Sequence, residues 1–240
     1  MDWFKIVMKK AGIFKKIAIL VLVLAVPGFL YYLLVVGGKN RYKALPVFGP
    51  KSVAKTSHLV KGKSIPDTIY HTLPEFALAD QDGRKVTLKS LDDKIFVVDF
   101  FYSHCSGVCN LMKGNVGLLL KEYAKNPMVS FATITVDPSR DTVAVLKKYS
   151  RKLNAYAPKW LFLTGDTSTI YKLARNGFLV NAVQNSPEDF IYSDKLILID
   201  EQKRIRGYYT GGSTDEVLRL NDEIKVLIAE ELLRKEKPMY

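Results

Sequence analysis

The sequence has few of the residues that usually bind metals or carry out nucleophilic catalysis. Its 240 residues include two cysteines and three histidines, and no histidine follows His104. A structural zinc site needs four ligands, and the chain has no second cysteine pair, so a zinc-binding module is not supported. A nucleophile site of the Ser-His-Asp type has no support either. The absence of an internal repeat excludes a repeat architecture.

Acidic residues are fewer than basic ones, and the formal net charge is +12. Much of this excess lies at the N-terminus, since residues 1–43 carry eight Lys or Arg and one Asp, a net charge of +7. The remaining chain has no basic stripe with interleaved aromatic residues, which nucleic-acid binding would favour. The excess is therefore interpreted as membrane-flanking charge, and nucleic acid is not expected as a partner.

A run of twenty uncharged residues, Ile17 to Val36, follows the basic segment 1–16. This is about the length that a helix needs to cross the roughly 30 Å hydrocarbon core, and membrane helices tolerate Pro27 and Gly28. A cleaved signal peptide and a buried soluble helix are the alternatives. The run is longer than the apolar region of a usual signal peptide, lacks a clear small-x-small cleavage site and is apolar on every face. We therefore predict an uncleaved, single-pass transmembrane anchor over residues 17–36.

The charges around this anchor do not give its orientation. Five Lys or Arg precede the apolar run and five follow it within twenty residues, so the positive-inside rule favours neither side. Residues 37–66 are rich in Gly, Pro, Lys and Ser and show little periodicity. They are interpreted as a tether between the anchor and a domain over residues 67–236.

The domain alternates strand and helix patterns. Two hairpins are expected, one around the QDG turn and one around EQKR, with buried strands and helices between them. The predicted strands are Glu75–Asp80, Arg84–Leu88, Lys94–Tyr102, Val129–Val136, Trp160–Thr164, Phe190–Asp200 and Ile205–Tyr209, and the predicted helices are 111–124, 142–149 and 167–175 with a last helix after Ser213. This order indicates an α/β fold, a central sheet with helices on both faces.

Local signals define two helix starts. Asp141 or Thr142 can cap the helix that runs through Tyr149. Ser213 and Glu216 form a capping box at the start of the last helix. That helix is amphipathic, and its apolar face is predicted to contain Val217, Leu220, Ile224, Ile228 and Leu232.

Both cysteines lie in the stretch FFYSHCSGVCNLM, directly after an apolar strand. Residues four apart on a helix have Cβ atoms about 5–6 Å apart, farther than the roughly 3.5–4.5 Å that a disulfide needs. The pair can open and close if Cys105 lies in the loop and Cys109 in the first helical turn, with Gly107 supplying backbone freedom.

The helix N-terminus and a protonated His104 would both favour a thiolate. Such a pair is competent for disulfide exchange and for binding a soft ion such as cuprous copper. A purely structural disulfide is the alternative, but so short a ring removes little chain entropy. Cys105 and Cys109 are therefore predicted to be a reactive or metal-binding pair.

Two carboxylates near the pair have open interpretations. Asp99 interrupts an apolar strand six residues before Cys105 and could accept a proton during thiol exchange. Equally, it could point to a sheet edge and be satisfied by backbone donors. Asp137 could lie on the same rim as the cysteines, or it could simply form the turn before Pro138.

Few other side chains qualify as copper ligands. His104 could serve as a third ligand, although adjacent residues rarely offer the angle that a shared ion needs. Met112 could be a soft ligand, but a structural helix methionine is the simpler interpretation. His58 falls in the predicted tether and His71 near the domain edge, so neither is expected to bind the ion.

The chain resembles the Sco/SenC family from about Asp67 to Glu236. The resemblance is carried by VVDFFYSHCSGVC, TITVDPSRDTVAVLKKY, WLFLTGD and LILIDEQKRIRGYYTG. It implies a thioredoxin-like fold and a domain anchored to the cell (inner) membrane that faces the periplasm or extracytoplasmic side. It also implies a copper ion held by two cysteines and a distant histidine. The implied partner is the copper-binding subunit of a respiratory oxidase, cytochrome c oxidase, whose copper centre the family helps to assemble.

The chain departs from the family pattern at three positions. Ser106 and Asn110 stand where the family commonly has proline after each cysteine, and Tyr192 stands at the family's histidine position. Copper delivery and copper-independent thiol–disulfide exchange therefore both remain open, and with them whether the protein is an enzyme. A third possibility, a binding module that has lost its chemistry, is disfavoured by the retained cysteine pair.

Overall fold

The computed structural model describes the backbone of residues 2–37, 44–60, 62–105, 107–186 and 189–236. Within these ranges it describes all side chains except those of residues 2–11, 13, 19, 34–37, 60, 108, 183–186 and 189–192. The chain divides into two units, Met1–Lys43 and Ala44–Tyr240.

In its described residues, 2–37, the first unit is one helix, α1, which spans Asp2–Gly37 and contains Pro27. Its segment Phe14–Leu33 has a mean hydropathy of 2.1 and is long and apolar enough to cross a membrane. Large apolar side chains such as Leu20, Leu24 and Phe29 are exposed on it. The apolar helix agrees with the predicted element over residues 17–36, while insertion into a membrane stays a prediction.

The second unit contains eleven described strands and four helices. The strands are β1 (Lys51–Val60), β2 (Lys63–Tyr70), β3 (Ala77–Ala79), β4 (Lys85–Thr87), β5 (Ile95–Phe101), β6 (Val129–Thr135), β7 (Trp160–Leu163), β8 (Ala182–Ser186), β9 (Asp189–Tyr192), β10 (Lys195–Ile199) and β11 (Ile205–Thr210). The helices are α2 (Val108–Glu122), α3 (Val143–Lys152), α4 (Thr167–Lys172), which continues into a π-helical turn at Leu173–Gly177, and α5 (Thr214–Glu236).

Five strands form the central sheet in the order β11-β10-β5-β6-β7. Strands β5, β6 and β7 are parallel, whereas β10 is antiparallel to both β5 and β11. Every residue of β5 is buried, as expected for a middle strand covered on both faces. The prediction of a central sheet with helices on both faces is confirmed.

Side chains of β5 alternate between two apolar clusters. Phe96, Val98 and Phe100 pack in a cluster that includes Ile170 of α4. Ile95, Val97 and Phe101 pack in the other cluster, with Met112 and Val116 of α2, Leu146 of α3 and Leu220 and Ile224 of α5. The sheet therefore separates two layers of helix, and α2 lies directly behind the strand that leads to the cysteines.

The segment predicted to be a tether contains regular structure. Strands β1 and β2 pair as an antiparallel hairpin with an irregularity between Val53 and Ser57, and residues from Ala44 onward belong to the second unit. Most of the described hairpin residues are exposed. Because neither strand buries one face, the sequence lacks the alternation by which strands are usually recognised. The predicted tether, residues 37–66, therefore contains a β-hairpin from Lys51 onward, and its role as a tether stays a prediction.

Two other elements differ from the sequence prediction. The single strand expected over Phe190–Asp200 is divided into β9, which pairs with β8, and β10, which enters the central sheet. In α5, Leu232 is 48% exposed, whereas Leu227 and Glu231 are buried. Repeated steps of four residues run ahead of the 3.6-residue helical period, so Leu232 lies to one side of the buried face of α5.

Of the two residues that the sequence offered as the cap of α3, Thr142 is the one that caps it, by accepting the Val145 N–H.

Candidate functional site

The cysteine loop, residues 102–107, joins the end of β5 to the start of α2. A turn begins it, in which the Cys105 N–H donates to the Tyr102 carbonyl at 3.1 Å. Gly107 has a φ of 63° and directly precedes α2, a backbone conformation that glycine adopts without steric cost. Cys105 thus lies in the loop and Cys109 in the first helical turn, the arrangement expected from the sequence.

Cys105 and Cys109 form a disulfide, with their Cα atoms 6.0 Å apart. Cys109 is 1% exposed, while Cys105 is partly exposed. His104 is exposed beside them, and its Nδ1 lies 3.2 Å from the Ser103 hydroxyl. Cys105 is therefore the more accessible of the two sulfurs, and Cys109 lies buried at the helix N-terminus.

Asp99 of β5 forms a buried ion pair with Lys113 of α2. The Lys113 Nζ lies 2.6 Å from Asp99 Oδ2, and both side chains are 2% exposed. Asp99 Oδ1 accepts the Thr133 hydroxyl at 2.5 Å, and Thr133 Oγ1 accepts the Trp160 indole N–H at 2.9 Å. Asp99 therefore lies on the middle strand with side-chain donors, which corrects the alternative of an edge position with backbone donors.

Two further carboxylates are buried where β6 ends. Asp137 Oδ1 accepts the Ser139 hydroxyl at 2.7 Å, and Arg140 Nε lies 3.6 Å from Asp137 Oδ2. Asp141 Oδ2 accepts the Ser103 N–H at 3.0 Å and the Thr135 hydroxyl at 2.5 Å. Asp141 therefore connects the end of β6 to the cysteine loop, whereas the described contacts of Asp137 are made within its own turn.

The hydroxyl of Tyr149 in α3 is influenced electrostatically by the carboxylates of Asp99 and Asp141. The pKa of its hydroxyl is raised, first by burial and then by the charges of Asp99 and Asp141. Its ring packs against Phe101, with ring centroids 5.3 Å apart. The phenol is therefore neutral at ordinary pH.

Most of the other candidate ligands have structural roles. Met112 is fully buried in the core, His71 Nε2 lies 2.7 Å from the Gly177 carbonyl, and His58 pairs with Asp67 at 2.6 Å in the β1–β2 hairpin. Among the residues that the structure describes, no three His, Cys, Asp or Glu side chains group as a metal site. Tyr192 ends β9, where its backbone pairs with Ala182, and its side chain lies outside the described set.

The sequence interpretation missed Lys113, Thr133 and the contact from Asp141 to the loop. A signal for Lys113 was present, because a carboxylate inside a buried strand requires a counter-charge or several donors. Lys113 follows four residues after Cys109, on the helix that covers this strand. No comparable signal identified Asp141, since an aspartate beside a helix start is ordinarily interpreted as a cap.

Comparison with known proteins agrees with this architecture. The SCO1/SenC family model matches residues 67–227. A SCO1/SenC family lipoprotein from Bacillus anthracis is 27% identical, with a TM-score of 0.61 over 66% of this chain and 95% of that one. BsSco, a Sco family cytochrome c oxidase assembly protein with a disulfide switch, is 26% identical, with a TM-score of 0.57 over 65% and 92%.

A third solved structure is ScoI of Bradyrhizobium japonicum with copper bound. It is 28% identical, with a TM-score of 0.55 over 65% of this chain and 98% of that one. These likenesses cover nearly the whole length of each solved domain, and the family match covers more than half of this chain. The second unit has the thioredoxin-like fold of these proteins, and the chain belongs to the SCO1/SenC family.

Proposed function

We propose that this chain is a membrane-anchored Sco protein that assists assembly of the copper centre of a respiratory oxidase by thiol–disulfide exchange through Cys105 and Cys109. The observation that carries this proposal is the closed disulfide across the start of α2, with one partly exposed and one buried cysteine. The family takes part in cytochrome c oxidase assembly, and a disulfide switch is known in BsSco.

The reaction begins from the dithiol form. The Cys105 thiolate attacks a disulfide of the partner subunit, forms a mixed disulfide and releases one partner thiolate, which takes up a proton. Cys109 loses its proton, attacks the Cys105 sulfur and releases the second partner thiolate. Two electrons pass from this chain to the partner, whose cysteines become able to bind copper, and this chain is left with the disulfide.

The surroundings of the pair suit this sequence of steps. The N-terminus of α2 stabilises a thiolate through its dipole and unbonded N–H groups. Asp99 is proposed to accept the proton that the buried Cys109 loses, and its Oδ2 lies 2.6 Å from the Lys113 Nζ. Asp99 lies six residues before Cys105 on the strand that leads into the cysteine loop.

Copper delivery is the second candidate function, supported by the copper-bound relative from Bradyrhizobium japonicum. Copper would be the cargo. Two thiolates suit a cuprous ion, but Tyr192 is a poor substitute for an imidazole toward a cupric ion, since a phenol has a pKa near 10. We expect weak cupric binding, and cuprous binding that persists but exchanges readily. Competition with colorimetric chelators should give tighter binding for Tyr192→His, most for the cupric ion, and equal cupric affinities would remove Tyr192 from the ligand position.

The exchange reaction is tested with the reduced full-length chain in detergent and a peptide closed by one disulfide. We expect one peptide disulfide to be reduced per chain, a trapped mixed disulfide with Cys109→Ser, and no reaction with Cys105→Ser. Lys225→Met, at an exposed position of α5, is the control and should retain exchange. Equal activity of Cys105→Ser and the unmodified chain would contradict the proposal.

The cellular role is tested in a deletion strain scored by oxidase activity. Rescue by a small thiol without added copper would support the exchange reaction. Rescue by copper alone would favour the delivery function.

The location follows from the same proposal. The apolar segment of α1 is proposed to anchor the chain in the cell membrane, with the domain on the extracytoplasmic or periplasmic side. A reporter that is active only outside the cytoplasm, fused after residue 240, should be active. Release of the protein by carbonate extraction would contradict the anchor.

A further inference from the structure

The carboxylate of Asp141 accepts a hydrogen bond from the backbone of the cysteine loop. Its side chain is fully buried, and its Oδ2 accepts the Ser103 N–H at 3.0 Å and the Thr135 hydroxyl at 2.5 Å. The Thr135 hydroxyl oxygen in turn accepts the Asp137 N–H at 3.0 Å. One carboxylate oxygen therefore fixes the loop, two residues before Cys105, to the end of β6.

This aspartate is not explained by the stability of the neighbouring helix. Thr142 caps α3, and Asp141 Oδ1 is buried without a hydrogen-bond partner among the described atoms. Burying a carboxylate oxygen without a donor is unfavourable. Of the two described hydrogen bonds to Asp141 Oδ2, the one from the Ser103 N–H joins the cysteine loop to the end of β6.

We propose that Asp141 is a positioning residue that sets the redox equilibrium of Cys105 and Cys109, an inference that rests on the proposed exchange function. In the disulfide form, the covalent bond itself fixes Cys105 against Cys109. In the dithiol form that constraint is gone, and the Ser103–Asp141 hydrogen bond holds the turn in which the Cys105 N–H donates to Tyr102. By limiting the conformations of the dithiol loop, Asp141 keeps the two thiols close and favours closure.

The proposal predicts a shift in the equilibrium with glutathione. The chain in its dithiol form reacts with one glutathione disulfide to give the protein disulfide and two glutathione thiols, so both protons and both electrons go to glutathione. Asp141→Ala removes the acceptor, and we expect the equilibrium constant for closure to fall about tenfold, the order expected when the backbone of about one residue of the dithiol loop is no longer restrained. This equals a reduction potential about 30 mV less negative.

Asp141→Asn removes the negative charge of the side chain but keeps an oxygen that can accept a hydrogen bond. Its amide oxygen can still accept the Ser103 N–H in the place of Oδ2, so the constant should return to within about threefold of the unmodified value. Thr135→Val removes one donor that orients the carboxylate and should shift the constant in the same direction as Asp141→Ala, by less. This variant provides the test if Asp141→Ala does not fold.

Asp80→Ala is the matched control. Asp80 is also buried, at 2% exposure, and its Oδ1 accepts the Asp82 and Arg84 N–H groups at 2.8 Å, in the turn between β3 and β4. It holds a different turn with the same chemistry. Its loss should lower the thermal stability of the protein but leave the glutathione equilibrium unchanged.

The experiment equilibrates full-length protein in detergent with graded glutathione buffers, quenches with acid and counts alkylated thiols by mass spectrometry. If the unmodified chain does not titrate reversibly, the proposed exchange function fails. If it titrates but Asp141→Ala stays within twofold of it, or Asp80→Ala shifts equally, only the role of Asp141 is overturned.

Discussion

Lys113→Met tests the buried charges behind the cysteine loop directly. Asp99 and Lys113 are each 2% exposed and 2.6 Å apart, and Lys113 Nζ lies 4.5 Å from the centre of the Phe101 ring. Methionine keeps most of the volume but removes the ammonium group. Asp99 is then left as a buried carboxylate whose described donor is the Thr133 hydroxyl.

The expected magnitude follows from this burial. Removing one partner of a buried ion pair costs about 3–5 kcal/mol, mostly because the other charge stays buried without compensation. We expect Lys113→Met to lower the free energy of unfolding by about that amount, and Asp99→Asn to act similarly. The double variant removes both charges, so its loss should be smaller than that of either single variant, with a coupling of about 2 kcal/mol or more.

Urea unfolding of the full-length chain in detergent measures these values. The chain has two tryptophans, so a Trp3→Phe background leaves Trp160, whose indole bonds to Thr133, as the fluorescent reporter of this network. Lys225→Met is the control, because Lys225 pairs with Asp222 at 3.6 Å on an exposed surface and should change little. Additive single-variant losses, or a loss below about 1 kcal/mol for Lys113→Met, would refute the reasoning.

Three further predictions concern the site and its surroundings. In the reduced protein, Cys105 should be alkylated at a lower pH than an ordinary thiol with a pKa near 8.5, and equal labelling of Cys109 would contradict the assignment. If Asp99 accepts a proton during exchange, Asp99→Asn should slow the resolving step and prolong the mixed disulfide relative to an otherwise matched Asp80→Asn control. Because the pKa of Tyr149 is raised above 10.0 in the folded state, the stability that its neutral phenol contributes is complete below about pH 10 and is lost as the pH rises further. Tyr149→Phe should therefore lose less unfolding free energy than the unmodified chain when the pH rises above about 10, and an identical pH profile would exclude this role.

The central sheet could be predicted because its strands are buried on both faces. The segments that form β5, β6 and β7 are short apolar runs bounded by turn residues. Where such runs alternate with helical patterns, they indicate the strands of a sheet that is covered by helices. The β1–β2 hairpin could not be predicted in this way. It is held by backbone pairing between largely exposed strands, and backbone pairing leaves no periodic signature in the side chains.

The site was predictable only for the residues near one another in sequence. The placement of Cys105 and Cys109 followed from one glycine and one helix start. The partners of Asp99 and of the Ser103 N–H lie 14 to 38 residues away along the chain, and they meet only because β5 and β6 are adjacent and α2 covers them. The burial of Lys113 was not predicted, because a lysine on a helix ordinarily points to solvent.

The resemblance described above implies proline after each cysteine, where this chain has Ser106 and Asn110, and this departure makes hydrogen bonds to the cysteine loop more important. Proline after a cysteine fixes one backbone dihedral and thereby narrows the conformations open to the dithiol. Here Asn110 stands at one of those positions, and its N–H donates to the Gly107 carbonyl at 3.0 Å, a bond that a proline would remove. The dithiol loop must then be restrained by hydrogen bonds. One of them, from the Ser103 N–H to Asp141, connects the loop to a residue outside it. Loss of that acceptor should for this reason alter the redox equilibrium more in this chain than in a relative whose loop retains both prolines.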